Sequence, residues 1–458
     1  MNRKWLSRDA LGAALIFLTT LSVFWVSPVH KAFDSKYLML FSQQLLWHQS
    51  FSLESQTFPE LASRAPGTVL RHGEGLPYHL VQVGERFYSL FPPGSSVLSV
   101  PYIALATAMG ISAVDKNGNY DEAGEIRIQA GLAALLMAGL AVILFQSSRL
   151  LLPLGWSLLI AWAAAFGTQI WSTASRVMWV QTWGVFILGF VIWLLLRAEV
   201  KQIRPPPVLL ATCLSWLYFV RPTFCSTIVA VTAYVLLYHR AIVTPFLLAG
   251  SAWLAIFIGY SQHHFGRMLP PYYRASRLTF DDFWEAFAGN LISPSRGLLV
   301  YVPVLVFVGY LLFRYRSRLF MPRLIGLALS VVVVHLVIVA GFVPWTGGHC
   351  YGPRITTDLV PWFALLGILA VHARLSRRSE EPATDTVFRW RTEWACGALL
   401  LLLSVTLNGR GATSFNAWWW NVLPVDVDKN PARIWDWTHP QFVGVEPPSV
   451  APDPAAAR

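Results

Sequence analysis

Charged side chains are scarce in this sequence. Asp, Glu, Lys and Arg make up only 13% of its 458 residues, whereas soluble domains carry about 25%. Apolar runs with almost no charge cover 132–145, 185–196, 324–343 and 399–407, within segments long enough to suit membrane spans. The scarcity of charge therefore excludes a chain built only of soluble domains. It predicts an all-α polytopic membrane protein instead.

Cysteines and sequence repeats are also lacking. The four cysteines (Cys213, Cys225, Cys350 and Cys396) are scattered, so no disulfide framework or zinc-ligand spacing is visible. No internal repeat is visible either, which argues against the repeat architecture of secondary transporters. The net charge of +11 has a plainer explanation in membrane topology than in nucleic-acid binding, and no nucleic-acid partner is predicted.

Basic residues cluster in short segments between the apolar runs, near the N-terminus and around 197–204, 239–240, 314–323 and 374–391. Because short cytoplasmic loops carry an excess of Lys and Arg, about eleven spans are needed to place all these clusters in the cytoplasm. The N-terminus is then inside, as an uncleaved signal anchor, and the C-terminus outside. The predicted spans are 10–27, 128–150, 154–171, 180–197, 207–220, 223–238, 243–260, 298–313, 323–342, 359–374 and 394–407.

The apolar segment 95–111 decides this arrangement, because counting it as a span would move every later basic cluster outside. It is short and rich in Ser, Ala and Gly, so we interpret it as a helix lying in the outer interface. Residues 1–407 then form a transmembrane domain with a long outer first loop, 28–127, and 408–458 form an outer Trp-rich tail. The outer loops 261–297 and 343–358 carry further polar residues.

Asp34 stands about two helical turns beyond the first span. One interpretation is an N-cap for a helix over 35–47, since Asp caps helices well. The other is a catalytic base, since a carboxylate held near a low-dielectric surface can be tuned for proton abstraction. The two roles are compatible, and both stay open.

The loop 343–358 is crowded with special residues. It contains Gly347-Gly348, which permit positive φ or close backbone approach, and Arg354, whose planar fork suits phosphate. The alternative is a tight turn with an interfacial Trp and Arg. Arg296, at the outer end of a span, is either an interfacial anchor or a second phosphate ligand. Further arginines at outer positions are Arg221 and Arg274.

Four short motifs stand out in the outer loops: Asp34-Ser35-Lys36-Tyr37, Phe91-Pro92-Pro93-Gly94, Ser293–Gly297 and Trp345–Arg354. Together they resemble the GT-C superfamily of integral membrane glycosyltransferases, which includes protein O-mannosyltransferases and lipid A aminoarabinose transferase. The resemblance implies a sugar donor carried on polyprenyl phosphate and a glycan, lipid or protein acceptor. It also implies an integral protein of the bacterial cytoplasmic (inner) membrane, with its active site facing the periplasm or cell exterior.

The resemblance assigns the acidic role of the first outer loop to Asp34 and the donor phosphate to Arg354 and Arg296. Further substrate-binding candidates are Lys36, Tyr37, His79, Tyr272, Trp345, His349 and Tyr351. Many members of the superfamily have paired acids, but here Ser35 follows Asp34, so no metal ligands are predicted. No cofactor is predicted, although a divalent cation is left open.

The residues favour an inverting transfer. A polyprenyl-phosphate leaving group needs charge stabilisation rather than a general acid, and one carboxylate suffices as base in a single displacement. A retaining route would need a second, nucleophilic carboxylate, by analogy with glycosidases. The competing hypothesis is a lipid-carrier transporter or flippase of cell-envelope glycolipids. It also needs outer arginines and a lipid groove, but no base at Asp34.

Overall fold

The structure, a computed structural model, describes residues 3–31, 34–53, 77–84, 86–273, 277–377 and 383–447. Helices dominate this part of the chain. The longer ones are α1 (Arg3–Val26), α2 (Leu38–His48), α3 (Gly94–Ala108), α4 (Glu122–Arg149), α5 (Leu154–Phe166), α6 (Thr182–Lys201), α7 (Pro207–Val220), α8 (Cys225–Tyr238), α9 (Val243–Phe265), α10 (Phe283–Ile292), α12 (Val304–Arg314), α13 (Pro322–Ala340), α14 (Val360–Arg377) and α15 (Ala383–Thr413). Two short helices, α11 (Leu298–Tyr301) and α16 (Phe415–Trp419), complete the list.

Seven helices in the described residues are long and apolar enough to cross a membrane. They coincide with seven of the eleven predicted spans, so the chain is a helical integral membrane protein. The other four predicted spans fall on shorter apolar helices, and the count of eleven stays a prediction. The seven are Arg8–Val26, Glu122–Arg149, Thr182–Lys201, Arg240–Phe265, Pro322–Ala340, Arg354–Ser376 and Trp390–Thr413; the four shorter ones are Leu154–Phe166, Pro207–Val220, Pro222–Tyr238 and Val304–Arg314.

Helix α4 forms the centre of the bundle. Within its apolar window 72% of the residues are buried, against 17% for the segment Arg240–Phe265. Its N-terminus is fixed by Asp121, whose side chain accepts a hydrogen bond of 3.0 Å from the backbone N–H of Ala123. A helix that is apolar on all sides belongs either in a core or against lipid. Helix α4 lies in the core, whereas α9 presents its apolar surface outward.

The first loop contains a small antiparallel sheet, so the all-α expectation was incomplete. Strands β1 (Ser52–Leu53), β2 (Leu80–Val83) and β3 (Arg86–Ser89) are arranged in the order β1-β3-β2. Tyr88 of the central strand pairs with Ser52 and with Val81. Strands of two to four residues are too short to show an alternating pattern in sequence, which is why the sheet was missed. Residues 54–76 of this loop lie outside the described part of the chain.

Both ends of α3 lie at the same end of the bundle. At its start, a Cβ on Gly94 would come within 2.5 Å of the Phe219 backbone, at the end of α7, so only glycine permits this approach. Just beyond its end, the Ser112 carbonyl packs against Gly124, at the start of α4. The helix predicted to lie in the interface is thus present and does not run the length of the bundle.

The bundle has two distinct ends. At the loop end, α1, α7 and α13 finish and α4, α6 and α14 begin, and the described parts of 27–121, 266–297, 341–359 and 414–447 meet there. At the basic end lie the short connections 150–153, 202–206, 239–242 and 315–321. The contact between Arg149 and Asp9 at the basic end shows that α1 and α4 run antiparallel.

Candidate active site

Asp34 lies at the loop end and does not cap a helix. Helix α2 begins after Tyr37, which has φ 70° and makes no side-chain capping bond. The Asp34 carboxylate instead accepts a hydrogen bond of 3.0 Å from the Tyr78 hydroxyl. Its other oxygen forms an ion pair with Arg354. The capping interpretation was therefore wrong, because the carboxylate is turned toward the loop 343–358.

Arg354 reaches Asp34 from a loop 320 positions further along the chain. Gly347 and Gly348 in this loop have φ values of +73° and +65°, which only glycine adopts readily. The Arg354 guanidinium lies 4.1 Å from the centre of the Trp179 ring, a cation–π contact. Its Nε is buried and has no hydrogen-bond partner. The side chain is thus held in place, with one donor unused.

The neighbours of Asp34 lower the pKa of its carboxyl group. Burial raises the pKa of the Asp34 carboxyl, but the Arg354 charge and the hydrogen bonds from Arg354 and Tyr78 outweigh burial, so the pKa is lower than usual. The pKa of Tyr78 is raised, first by burial and then by the Asp34 charge. Asp34 is therefore an ionised acceptor and Tyr78 a neutral donor near neutral pH.

Asp34 and Arg354 line one wall of a cavity of about 360 Å³. Two further arginines, Arg221 and Arg277, line the same cavity, so positive groups outnumber negative ones on its walls. Tyr272, a predicted substrate-binding residue, is also in the lining. The lining residues are Asp34, Tyr218, Arg221, Pro222, Thr223, Cys225, Tyr272, Tyr273, Arg277, Leu278, Ile338, Phe342, Val343, Pro344, Gly347, Gly348, Arg354 and Ile355.

Arg221 is buried in the cavity wall and held by Asp358. Its Nη1 lies 3.2 Å from one Asp358 oxygen, and the other accepts a 2.7 Å hydrogen bond from the Thr223 hydroxyl. The Nε of Arg221 is buried without a hydrogen-bond partner. Nearby, His335 of α13 can donate a hydrogen bond to the Ile355 carbonyl, 3.3 Å from its Nε2, and so connect α13 to the segment that follows Arg354. Arg221 thus resembles Arg354 in having a fixed position and an unused buried donor.

An apolar groove of about 330 Å³ adjoins this cavity. It lies between α7, α8 and α9, and it shares Tyr218 and Cys225 with the cavity lining. Its other lining residues are Ala211, Leu214, Ser215, Phe219, Ile228, Val229, Thr232, Phe246, Leu247, Gly250, Ser251 and Leu254. A positively lined cavity therefore lies next to an apolar groove between three apolar helices.

Arg296 does not contact the cavity, which corrects the expectation that it binds phosphate. It is 2% exposed, and each of its three guanidinium nitrogens already donates to the protein. The acceptors are the carbonyls of Thr346, Ser295 and Gly348 and the side chains of Gln441 and Asn421, at 2.6–3.1 Å. All donors of the guanidinium are used. Arg296 therefore ties the loop 343–358 to the C-terminal tail.

Trp345 and Tyr351, also predicted to bind substrate, are packed in the protein interior. Trp345 is buried against Gly289 of α10. Tyr351 is buried beside Tyr301, and its hydroxyl donates to the Leu407 carbonyl at 2.7 Å. Neither lies in the cavity lining. Aromatic residues in an interspan loop have no sequence pattern that separates these two roles.

Lys36, Tyr37 and His79, three predicted substrate-binding residues, do not line the cavity. Lys36 forms an ion pair of 3.6 Å with Glu122. The buried Tyr37 ring contacts the His79 ring edge-on at 5.8 Å between centroids. The His79 ring packs against the Tyr78 ring at 3.8 Å between centroids with an interplanar angle of 34°, next to the tyrosine that donates to Asp34. Arg274 lies outside the described residues.

His349 contacts two tail residues that the sequence did not single out. Its Nε2 lies 3.0 Å from Asp426 Oδ1 and 3.7 Å from Asp428 Oδ2. Burial raises the pKa of Asp426, but hydrogen bonds from His349 and from the Asp428 backbone outweigh it, so the pKa is lowered. An Asp-x-Asp pair in the tail could have been noticed, but only the fold brings it to the histidine.

No family model matches this chain, and comparison with curated proteins finds no match. The fold and the cavity define a helical integral membrane protein with a cationic cavity at one end of the bundle.

Proposed function

We propose that this protein is an integral membrane glycosyltransferase of the GT-C type. It transfers a sugar from a polyprenyl-phosphate carrier to a glycan, lipid or protein acceptor on the outer face of the bacterial cytoplasmic membrane. One observation carries the proposal: Asp34 and Arg354 lie in loops distant in sequence, and they meet at the wall of one cavity.

The cavity suits the phosphate and sugar of such a donor. Small-molecule sites occupy about 300–1,000 Å³, and the cavity of about 360 Å³ falls in this range. Arg354, Arg221 and Arg277 provide positive charge around it, and guanidinium groups bind phosphate oxygens well. The adjoining apolar groove supplies a path for the polyprenyl chain into the hydrocarbon. Arg221 and Arg277 replace Arg296 as partners of Arg354.

The transfer is a single displacement. The acceptor hydroxyl oxygen forms a bond to the anomeric carbon while the bond from that carbon to the phosphate oxygen breaks. The phosphate leaves as an anion stabilised by the arginines. The hydroxyl proton passes to the Asp34 carboxylate, and the anomeric configuration inverts.

The ion pair links donor binding to the strength of the base. While Arg354 is paired with Asp34, the carboxylate has a lowered pKa and is a weak base. A donor phosphate that engages Arg354 offsets its positive charge, which raises the pKa of Asp34. The base therefore becomes stronger only when the donor is in place.

The proposal includes the eleven-span topology with the loop end outside. Cysteine labelling in a cysteine-free background tests it. A cysteine at Asn117 is expected to react with a membrane-impermeant reagent from the outside, and one at Ser379, which lies outside the described residues, only from the inside. Labelling of Asn117 only from the cytoplasm would contradict the topology.

The function is tested with purified protein in nanodiscs. Mass spectrometry of envelope lipids and glycans, with and without the protein in cells, first finds the product that loses one sugar. The purified protein is then supplied with polyprenyl-phosphate sugars and that acceptor. Sugar transfer supports the proposal. Movement of the donor across the bilayer without transfer would instead identify the lipid-carrier transporter.

A further inference from the structure

His349, Asp426 and Asp428 bring three metal-binding atoms together outside the walls around Asp34. Their ligand atoms all lie within 4.8 Å of one another. The His349 Nε2 is 3.0 Å from Asp426 Oδ1 and 3.7 Å from Asp428 Oδ2. Because zinc bonds to histidine nitrogen and carboxylate oxygen are about 2.0–2.2 Å long, ligand atoms around one ion are about 3.0–3.6 Å apart. The cluster therefore needs little movement to close on a cation.

Both sides of the cluster are held by the surrounding chain. On one side, Gly348, next to His349, has its carbonyl fixed by a 3.1 Å hydrogen bond from Arg296. On the other side, the Asp428 N–H donates to Asp426 at 2.9 Å, which keeps the two carboxylates together in one turn. Prior fixing of ligands lowers the cost of binding a metal. The hydrogen bonds of Arg296 thus help to position the loop 343–358, which contains His349.

The cluster lies beside the cationic cavity. Gly347 and Gly348, which precede His349, are in the cavity lining. A Cβ on Gly348 would lie 3.8 Å from Asp428 Oδ2, so Asp428 lies against a residue of the cavity lining. On the same cavity, the buried Nε atoms of Arg354 and Arg221 have no protein partner. The cluster and these two unfilled donors therefore lie at neighbouring positions at the loop end.

The donor set narrows the choice of ion. An imidazole nitrogen with two carboxylates suits Zn²⁺ or Mn²⁺ better than Mg²⁺ or Ca²⁺, which prefer oxygen ligands alone. Three protein ligands leave at least one coordination position for water or a substrate oxygen, as in catalytic zinc sites. We infer that His349, Asp426 and Asp428 form a binding site for a divalent cation of this class at the edge of the cavity.

Metal binding to the full-length protein in detergent tests this inference without an activity assay. The protein is stripped with chelator and titrated with Zn²⁺ and with Mn²⁺, and binding is followed by calorimetry and by metal analysis. We expect one ion per chain and a higher Tm in the presence of the metal. Asp428→Asn should weaken binding by about tenfold or more, as loss of groups in a metal site commonly does.

The variants separate a metal site from an ordinary ion pair. Asp428 is half exposed and more distant from His349, so Asp428→Asn leaves the 3.0 Å contact between His349 and Asp426 intact. The control is Asp436→Asn, which changes an exposed His–Asp contact of 3.0 Å and should leave metal binding unchanged. Wild-type protein that binds neither ion, or Asp428→Asn that binds like wild type, overturns the inference.

Discussion

The two ends of the bundle both contain ion pairs, but these pairs differ in what surrounds them. At the basic end, Arg149 pairs with Asp9 and also donates to the Leu152 carbonyl. Arg374 pairs there with Glu393, whose other oxygen accepts from Tyr315 at 2.8 Å. At the loop end, Arg354 and Arg221 pair with Asp34 and Asp358, yet each keeps a buried Nε without a partner.

The ion pairs of the basic end join helices, whereas the arginines of the loop end still have donors available to a ligand. An unpaired buried donor costs about 1–3 kcal/mol, so a fold that keeps two of them beside one cavity is poised for an anion that would use them. The ion pairs of the basic end connect neighbouring helix ends. Function is therefore expected at the loop end, and matched substitutions at the two ends can test this.

The largest effect is expected from Asp34→Asn. The amide cannot accept the acceptor proton, and loss of a general base typically lowers the rate by about 10²–10⁴-fold. Asp9→Asn at the basic end is the matched control and should keep nearly full turnover. Rates are measured in nanodiscs with the donor and acceptor identified above.

Because Asp34→Asn also leaves the Arg354 charge unbalanced, folding is monitored by size-exclusion profile and Tm. Asp34→Glu restores the charge and should recover stability with only partial recovery of the rate. Wild-type turnover by the Asn variant would show that Asp34 is not the general base.

Changes to Arg354 should have the next largest effect. Each charge-assisted hydrogen bond contributes about 1.5–3 kcal/mol, and about 1.4 kcal/mol is tenfold in affinity. Arg354→Ala should therefore weaken donor binding by about tenfold or more. Arg354→Lys keeps the charge without the fork and should be intermediate. Donor binding is measured directly, with Arg149→Lys as the control. Normal donor binding by Arg354→Ala would show that the loop 343–358 is a structural turn and not a phosphate site.

A smaller and different effect is expected from Arg296→Lys. Lysine supplies three N–H donors where arginine supplies five, so buried acceptors in the loop and tail lose partners. The Tm should fall, because each such loss costs about 1–3 kcal/mol. The KM for the donor should stay near that of wild type in the fraction that folds. A rise in KM for the donor at unchanged Tm would instead indicate that Arg296 binds the donor phosphate.

The smallest effect concerns pH. The pKa of Asp34 is lower in the folded protein than the unfolded value of about 3.9. The ion pair with Arg354 therefore stabilises the fold fully above about pH 4–5 and loses this contribution as the pH falls through the lowered folded pKa. The Tm difference between wild type and Asp34→Asn should be constant from pH 7 to 5 and shrink below pH 4. A difference that shrinks already near pH 6 would contradict the lowered pKa.

Individual residues show how far sequence reasoning reached. Asp34 and Arg354 could be chosen because a lone carboxylate after a span and an arginine in a glycine-rich loop are unusual locally. Arg296 was the second phosphate candidate after Arg354 in the sequence, yet it is buried among carbonyls and amides while Arg354 lines the cavity. Asp428 went unnoticed because its partner, His349, lies far away along the chain.

Sequence alone determined that this is a helical membrane protein. Partition of a segment into the bilayer depends on the apolar character of about 20 consecutive residues, which is a local property. Only the tertiary structure decided which arginines line the cavity, that Asp34 pairs with Arg354, and that His349 faces two tail carboxylates. These relations depend on the direction of side chains from segments between 77 and 320 positions apart, and packing alone sets that direction.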